Sequence, residues 1–292
     1  MIKVIPRIYE QYLKESLESS FISVLIGPRQ VGKTTSVNSF LETVGKDRKL
    51  CLNLDSVFER ERIIHNEKYL RERIEEITAT KLEKLKERFF LFIDEAQKLP
   101  AVFEPVKMLY DSSHLLKIVI SGSSSLELLD KTAETLAGRV QILRCYPFSI
   151  SEASFFEGID DFTCASKIYD RIFSGTLNKK LLSQIITDHK PRSRKKLQLI
   201  DKLCIRSLFP PTFSKIGEDD IPRWLMDYID TYIERDMRSV KEIGNIEGYR
   251  KVISQLAPRA GNLLEYNSLG ADAGVNQITT KKYVSIWQES LI

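Results

Sequence analysis

The chain has 292 residues, of which 42% are hydrophobic and 29% charged, and its formal net charge is +4. These values are ordinary for a globular protein of two or three domains, and the charge permits nucleic-acid contact without arguing for it. No apolar run reaches the length of a membrane span, and the first ten residues do not form a signal peptide. We therefore expect a cytoplasmic protein with no membrane partner, and four widely spaced reduced thiols: Cys51, Cys145, Cys164 and Cys204.

The first predicted elements surround a phosphate-binding motif. A helix is predicted over residues 7–19, and an apolar strand over 21–26 follows it. Residues 27–34 then read G-P-R-Q-V-G-K-T, which matches the G-x-x-x-x-G-K-T pattern of a P-loop. A helix predicted over 35–43 completes the strand, loop and helix order that this pattern requires, which disfavours a chance match.

Each residue type in this motif has a physical role. Gly27 and Gly32 let the backbone bend and bring its N–H groups close to phosphate oxygens. Lys33 would place an ammonium on the β- and γ-phosphates, and the Thr34 hydroxyl would ligate Mg²⁺. The following helix adds its own N–H groups and the positive end of its dipole. The predicted nucleotide contacts are Gly27, Pro28, Arg29, Gln30, Val31, Gly32, Lys33, Thr34 and Thr35.

The second informative stretch ends in two carboxylates. After a strand over 49–54 and charge-rich helices within 59–88, residues 89–93 form an unbroken apolar run, as expected of a buried parallel strand. Asp94 and Glu95 follow at its carboxyl end, where open α/β sheets bind ligands. In this Walker B pattern Asp94 would hold Mg²⁺, and Glu95 would orient and deprotonate the attacking water. The alternative is a strand that ends in acidic surface residues with no catalytic role.

Two further polar positions follow later strands. A helix is predicted to begin at Val102, and a fourth strand over 116–120 leads into small hydroxyl residues. Ser123 or Ser124 could sense the γ-phosphate, cap the next helix, or do both. That helix is predicted over 126–138 and a fifth strand over 140–143.

Arg139 lies between that helix and the fifth strand. It could be a finger that neutralises transition-state charge on a neighbouring subunit's nucleotide, or a structural ion-pair residue.

The second half of the chain is predicted to be helical. Residues 151–222 read as a lid and linker, and residues 224–240 as a strong helix with a broad apolar face. Residues 266–273 and 277–290 form the two helices of a helix–turn–helix, with Gly274 in the left-handed turn and Asn276 as N-cap.

In this unit Val284 and Trp287 are predicted to face inward. If the unit bound DNA, the residues approaching it would be Gln277, Thr279, Thr280, Lys281 and Lys282. A packing or protein-contact module is the alternative, and it is favoured because the unit carries few cations.

Residues 27–34, 89–97 and 119–139 together resemble prokaryotic AAA+-like ATPases related to the STAND NTPases. The resembling features are the GPRQVGKT loop, D-E-x-Q after the Walker B strand, and G-S followed by G-R. The resemblance implies a five-stranded parallel sheet ordered 5-1-4-3-2 and Mg-ATP hydrolysis, with a sensor at Ser123 or its neighbour. It also places Arg139 where arginine fingers are found, which implies a possible homo-oligomer.

Two departures from that family stand out. Family members usually continue with a further C-terminal domain, so we expect a truncated or short member. The region around Phe209 also lacks the family's G-G-x-P, so a lid-borne sensor arginine is not assigned.

We therefore predict an α/β fold with helices on both faces of the sheet, followed by a helical lid and a helix–turn–helix, winged-helix-like domain. The predicted boundaries are 1–150 for the ATPase domain, 151–222 for the lid and linker, and 223–292 for the last domain. The predicted function is that of a Mg-dependent ATPase acting as a nucleotide-driven switch. The alternatives are a nucleotide-gated DNA-binding regulator with little turnover and a small-metabolite phosphotransferase. Absence of an N-K-x-D motif favours ATP over GTP.

Overall fold

The computed structural model describes residues 5–123, 132, 134–158, 179–180, 183, 194–232 and 243–289. Its centre is one parallel sheet with the strand order β2-β3-β4-β1-β5, which confirms the predicted order read from the other edge. The strands are β1 (Ile22–Gly27), β2 (Lys49–Asn53), β3 (Phe89–Asp94), β4 (Leu116–Ser123) and β5 (Val140–Arg144). All four neighbouring pairs are parallel, so every strand ends at the same edge of the sheet.

Helices account for most of the remaining described structure. They are α1 (Glu10–Glu18), α2 (Lys33–Leu41), α3 (Val57–His65), α4 (Tyr69–Thr78), α5 (Phe103–Ser112), α6 (Ile150–Phe156), α7 (Arg194–Arg206), α8 (Pro211–Ser214), α9 (Ile221–Tyr232), α10 (Ile246–Leu256), α11 (Tyr266–Ala273) and α12 (Gln277–Glu289).

Both faces of the sheet are covered by helices, as predicted. Val24 and Ile26 of β1 belong to a core cluster with α3, α4 and α5, whereas Leu25 belongs to a cluster with α1 and α2. Successive side chains of a strand point to opposite faces, so β1 contributes to two cores at once. This explains why β1 and β3 are mainly apolar, with every residue buried.

The region predicted as a lid is described in part. Helices α6, α7 and α8 meet around a small cluster in which Phe148 and Phe156 make edge-to-face contacts with Phe213. The predicted helix over 126–138 and the candidate sensor Ser124 lie largely or wholly outside the described residues. The role of this region as a lid stays a prediction.

Three helices, α10, α11 and α12, share a C-terminal core whose most buried ring is that of Tyr249. The predicted turn is present, since Gly274 ends α11 with φ 69° and the Asn276 Oδ1 accepts a hydrogen bond from the Thr279 N–H at 2.9 Å. Val284 is buried and Trp287 packs against the same core, as predicted. Within residues 243–289 no strand is present, so a wing stays a prediction.

Two details of this unit differ from the prediction. Helix α10 was not predicted, although Asn245 caps it by accepting a hydrogen bond from the Gly248 N–H at 3.0 Å. Thr280, assigned above to a DNA-facing surface, is instead fully buried. The reason is the close packing of α11 on α12: a Cβ on Gly270 would lie 2.7 Å from the Thr280 Oγ1.

No helix among the described residues is both long enough and apolar enough to cross a bilayer. The two cysteines whose side chains are described, Cys51 and Cys145, are free thiols.

Candidate functional site

The P-loop leaves β1 at the carboxyl edge of the sheet and runs into α2. Gln30 and Gly32 both adopt positive φ, at 63° and 97°, which turns successive peptide groups toward one side of the loop. Backbone turned in this way forms an anion-binding concavity, and helix α2 begins at Lys33 and directs its free N–H groups toward it. The loop therefore has the shape that a phosphate chain requires.

Gly27 is required for a reason that the sequence pattern does not reveal. It is the last residue of β1, and a Cβ built on it would lie 2.0 Å from the carbonyl oxygen of Cys145. The Cys145 N–H donates to the Ile26 carbonyl at 2.7 Å, which holds the chain after β5 against the start of the loop. Close backbone approach, rather than a bend, fixes glycine at this position.

Lys33 is folded back onto its own loop. Its Nζ donates to the carbonyl oxygens of Gly27 and Pro28, each at 2.8 Å, and only 6% of the residue is exposed. Burial lowers the pKa of the Lys33 ammonium, and the carboxylates of Glu95 and Asp94 counteract part of that effect. An ammonium held by loop carbonyls is close to the concavity that the loop encloses.

The P-loop and the end of β3 are joined by a direct side-chain bond. The Thr34 Oγ1 donates to the Asp94 Oδ2 at 2.7 Å. The other carboxylate oxygen of Asp94 accepts from the Ser121 hydroxyl and from the Glu95 N–H, the latter at 3.1 Å. A hydroxyl and a carboxylate in contact are hard oxygen ligands of the kind that Mg²⁺ takes together with substrate phosphates. The residues present therefore fit that ion.

Glu95 lies immediately beyond, with an unusual backbone. Its φ of 56° and ψ of 40° are left-handed values that a residue with a Cβ adopts at a cost of about 1 kcal/mol. Its Oε2 accepts a hydrogen bond from the Gln97 Nε2 at 2.5 Å. The predicted base is thus held at the carboxyl edge of the sheet, next to Asp94.

The remaining predicted site residues fall on both edges of the sheet. Ser123 is buried at the end of β4 and pairs in register with Gly27, so it lies beside the loop. Thr35 is exposed in the first turn of α2.

Arg139 precedes β5, and its carbonyl accepts from the Ile22 N–H, so it lies at the amino edge, opposite the P-loop. Its side chain forms a two-bond ion pair with Asp111, at 3.0 and 3.2 Å. That position excludes contact with the nucleotide of its own chain and leaves the finger role on a neighbour as a prediction.

Two side chains that no sequence motif indicated hold the loop from outside the sheet by hydrogen bonds. Arg7 is buried, and it donates to the Val31 carbonyl at 2.6 Å and to the Glu152 carboxylate of α6 at 2.7 Å. The Tyr228 hydroxyl of α9 donates to the Arg29 carbonyl at 3.3 Å. Residues so distant in sequence have no shared local pattern, and the apolar spacing of α9 alone indicated a core position for Tyr228.

Comparison with known proteins gives two matching family models. Residues 19–154 match the model of an AAA domain, and residues 197–292 match that of a domain of unknown function (DUF8612). Uncharacterized protein Rv2008c of Mycobacterium tuberculosis and uncharacterized protein Mb2031c of Mycobacterium bovis are each 22% identical over 281 residues, covering 96% of this chain and 50% of theirs. The chain thus spans about half the length of these curated relatives.

Similar solved structures include the Walker-type ATPase PABY2304 of Pyrococcus abyssi, at 14% identity, 96% coverage of both chains and a TM-score of 0.48. Another is AMPPCP-bound DnaA from Aquifex aeolicus, at 13% identity, with 96% of this chain and 86% of that chain covered and a TM-score of 0.37. The matched model and the structure agree: residues 19–154 match an AAA domain and contain the five-stranded parallel sheet and loop of a P-loop NTPase fold.

Proposed function

We propose that this protein hydrolyses ATP with Mg²⁺ and uses the bound nucleotide to switch the arrangement of its C-terminal helices. The observation that carries the hydrolytic part is the 2.7 Å hydrogen bond between the Thr34 hydroxyl and the Asp94 carboxylate. It brings together the loop that would hold the phosphates and the strand end that would hold the metal, with Glu95 next in the chain.

In the proposed reaction a water oxygen forms a bond to the γ-phosphorus, and the bond from that phosphorus to the β–γ bridging oxygen breaks, leaving ADP and phosphate. Glu95 orients the water and accepts its proton. Lys33 leaves the loop carbonyls and neutralises charge on the β- and γ-phosphates. Thr34 and Asp94 would hold Mg²⁺, which would supply further neutralisation of phosphate charge.

The switch is supported by the two hydrogen bonds that Tyr228 and Arg7 donate to carbonyl oxygens of the loop. The Arg29 carbonyl, which Tyr228 holds, shares one planar peptide with the Gln30 N–H. The Val31 carbonyl, which Arg7 holds, shares a peptide with the Gly32 N–H in the same way. A phosphate that turns either N–H therefore also turns the carbonyl of the same peptide. Binding of phosphate in the loop would in this way move the carbonyls to which Tyr228 and Arg7 donate.

Helix α9 carries that signal to the C-terminal core. Tyr228 contacts the loop at one point of α9, and Tyr232, one turn later, is buried among α10, α11 and α12. The Tyr232 ring meets the Trp287 ring edge to face, with centroids 6.0 Å apart. One short helix thus connects the candidate nucleotide site to the second helix of the helix–turn–helix.

Tryptophan fluorescence tests the switch, since Trp224 and Trp287 are the chain's two tryptophans. In the Trp224→Phe variant only Trp287 reports, and we expect Mg-ATP to change its emission. Adding Tyr228→Phe removes the hydroxyl that donates a hydrogen bond to the loop. This second change should reduce the emission change at least about threefold, while ATP affinity should change by no more than about fivefold, because one neutral hydrogen bond contributes about 1 kcal/mol.

The matched control is Tyr110→Phe, which removes the same hydroxyl from α5, away from α9. It should leave the Trp287 response intact. An unchanged Trp287 emission at saturating Mg-ATP would contradict the switch, whereas measured phosphate release would independently support the hydrolytic part.

A DNA-binding role is the second candidate, and the exposed side of α12 favours it. Five residues share that side and are exposed: Gln277, Ile278, Lys281, Lys282 and Ser285. The tight crossing of α11 on α12 at Gly270 is the arrangement that leaves such a side free to enter a major groove.

If this surface binds DNA, Lys281→Ala with Lys282→Ala should weaken duplex binding about tenfold or more at moderate salt, and should lower the salt slope by about 2. Fluorescence anisotropy with a labelled duplex at several salt concentrations measures both quantities. Lys251→Ala, on the exposed surface of α10, is the control with the same charge loss per residue. Equal binding by all variants would exclude this surface.

A further inference from the structure

Gln97 lies in the short turn directly after Glu95, and its side chain points back to the predicted base. The Gln97 Nε2 donates to the Glu95 Oε2 at 2.5 Å. An ionised carboxylate only accepts hydrogen bonds, so the amide group that faces it must be the NH₂ and not the oxygen. The carboxylate therefore fixes which way the Gln97 amide is turned.

That orientation leaves the other end of the amide without a partner. The Gln97 Oε1 is buried and accepts no hydrogen bond from the part of the chain that the structure describes. A buried acceptor without a donor loses its water contacts and gains nothing in return. A side chain present only for packing would be better replaced by an apolar one, so the hydrogen bond to Glu95 is what the site gains from a glutamine here.

The left-handed backbone of Glu95 does not by itself fix the direction of its side chain. Without a hydrogen-bond donor beside it, a carboxylate at the sheet edge could rotate toward solvent. The amide of Gln97 occupies one carboxylate oxygen and leaves the other, Oε1, available. Such support from a neighbouring donor holds a catalytic group in one geometry before its substrate arrives.

We propose that Gln97 is a positioning residue for ATP hydrolysis: its amide holds the Glu95 carboxylate so that one oxygen faces the attacking water. This inference rests on the proposed function. Gln97 acts through Glu95 and not on the nucleotide, so its loss should affect kcat and leave nucleotide affinity nearly unchanged.

Two substitutions separate positioning from packing. Gln97→Glu keeps the size and shape of the side chain and replaces the donor by an acceptor. Gln97→His changes the shape but keeps an N–H donor at a comparable distance from the backbone. Positioning predicts that kcat falls at least about tenfold in the first variant and is largely retained in the second. A packing role predicts the opposite order, with kcat nearly unchanged in Gln97→Glu and strongly reduced in Gln97→His.

The measurements are phosphate release at a range of ATP concentrations and the affinity for a fluorescent ATP analogue, with thermal unfolding to verify the fold. The KM for ATP and the analogue affinity should stay within about threefold of the parent, since Gln97 does not touch the nucleotide. In the Glu95→Gln background, Gln97→Glu should cause no further loss of kcat, because the group it positions is already gone. Gln141→Glu on β5 is the control with the same chemical change.

The outcomes are distinguishable. If the parent protein releases no phosphate from ATP, the proposed function is wrong and this inference goes with it. If the parent hydrolyses ATP and Gln97→Glu does so at the same or a higher rate, only the positioning role is overturned. Equal losses in kcat and in analogue affinity would also overturn it, since they would place Gln97 in nucleotide binding.

Discussion

Replacing Lys33 by alanine is expected to weaken Mg-ATP binding by at least about 100-fold, or about 2.7 kcal/mol. The ammonium is buried beside the loop, where the β- and γ-phosphates would lie. Charge-assisted hydrogen bonds of this kind contribute about 1.5–3 kcal/mol each in a site shielded from water. Isothermal titration calorimetry with Mg-ATP measures the loss directly.

A second variant and a surface lysine control this experiment. Lys33→Met keeps the methylene stem and removes only the ammonium, so it should show the same loss with less disturbance of packing. Lys46→Ala removes an exposed lysine from the turn before β2 and should bind ATP as the parent does. Affinity within about threefold of the parent in both Lys33 variants would remove the phosphate-binding role of this residue.

Glu95→Gln should have the second large effect. In contrast to Lys33→Ala, it should lower kcat and leave ATP affinity nearly unchanged. The amide keeps the size of the side chain but accepts no proton from water, so kcat should fall about 100-fold or more, as is typical when a general base is lost. ATP affinity should change less than about threefold, because Glu95 is not expected to contact the phosphates in the ground state. Single-turnover phosphate release and equilibrium binding of ATP measure the two quantities separately.

The control is Glu104→Gln, which makes the same change in the first turn of α5 and should hydrolyse ATP at the parent rate. Hydrolysis by Glu95→Gln at the parent rate would show that another group takes the proton. Taken with Lys33→Ala, the pair separates binding from chemistry: one variant should lose nucleotide, and the other should retain it unhydrolysed.

The strands of the sheet could be predicted because each depends on a pattern within a single stretch of sequence, whereas their order was implied only by the resemblance to AAA+-like ATPases. Parallel strands that are covered on both faces are mainly apolar, and β1 and β3 show this, with Ser23 and Asp94 as their buried polar residues. The loop after β1 and the acids after β3 then fall on the same edge, because all strands run the same way. Local sequence was sufficient to bring Thr34 and Asp94 together in the prediction.

The partners of the loop could not be predicted in this way. Apolar spacing indicates which side of a helix is buried and says nothing about what it meets. Tyr228 therefore looked like any other core aromatic of α9, although it donates to a loop carbonyl 199 positions earlier in the chain. Thr280 was misplaced for the same reason: its burial depends on how closely another helix approaches at Gly270, which is a tertiary property.

The spacing of the two tyrosines on α9 has a consequence for how this chain can vary. Residues of an α-helix succeed one another at about 100° around its axis, so Tyr228 and Tyr232 point in nearly the same direction, about 6 Å apart. One residue gained or lost between them would rotate the second ring by about 100° relative to the first. Both rings are buried, so such a change would remove one of them from its packing. Under the proposed switch it would also break the connection between the loop and the C-terminal core, so the length of this one turn would be constrained by communication as well as by stability.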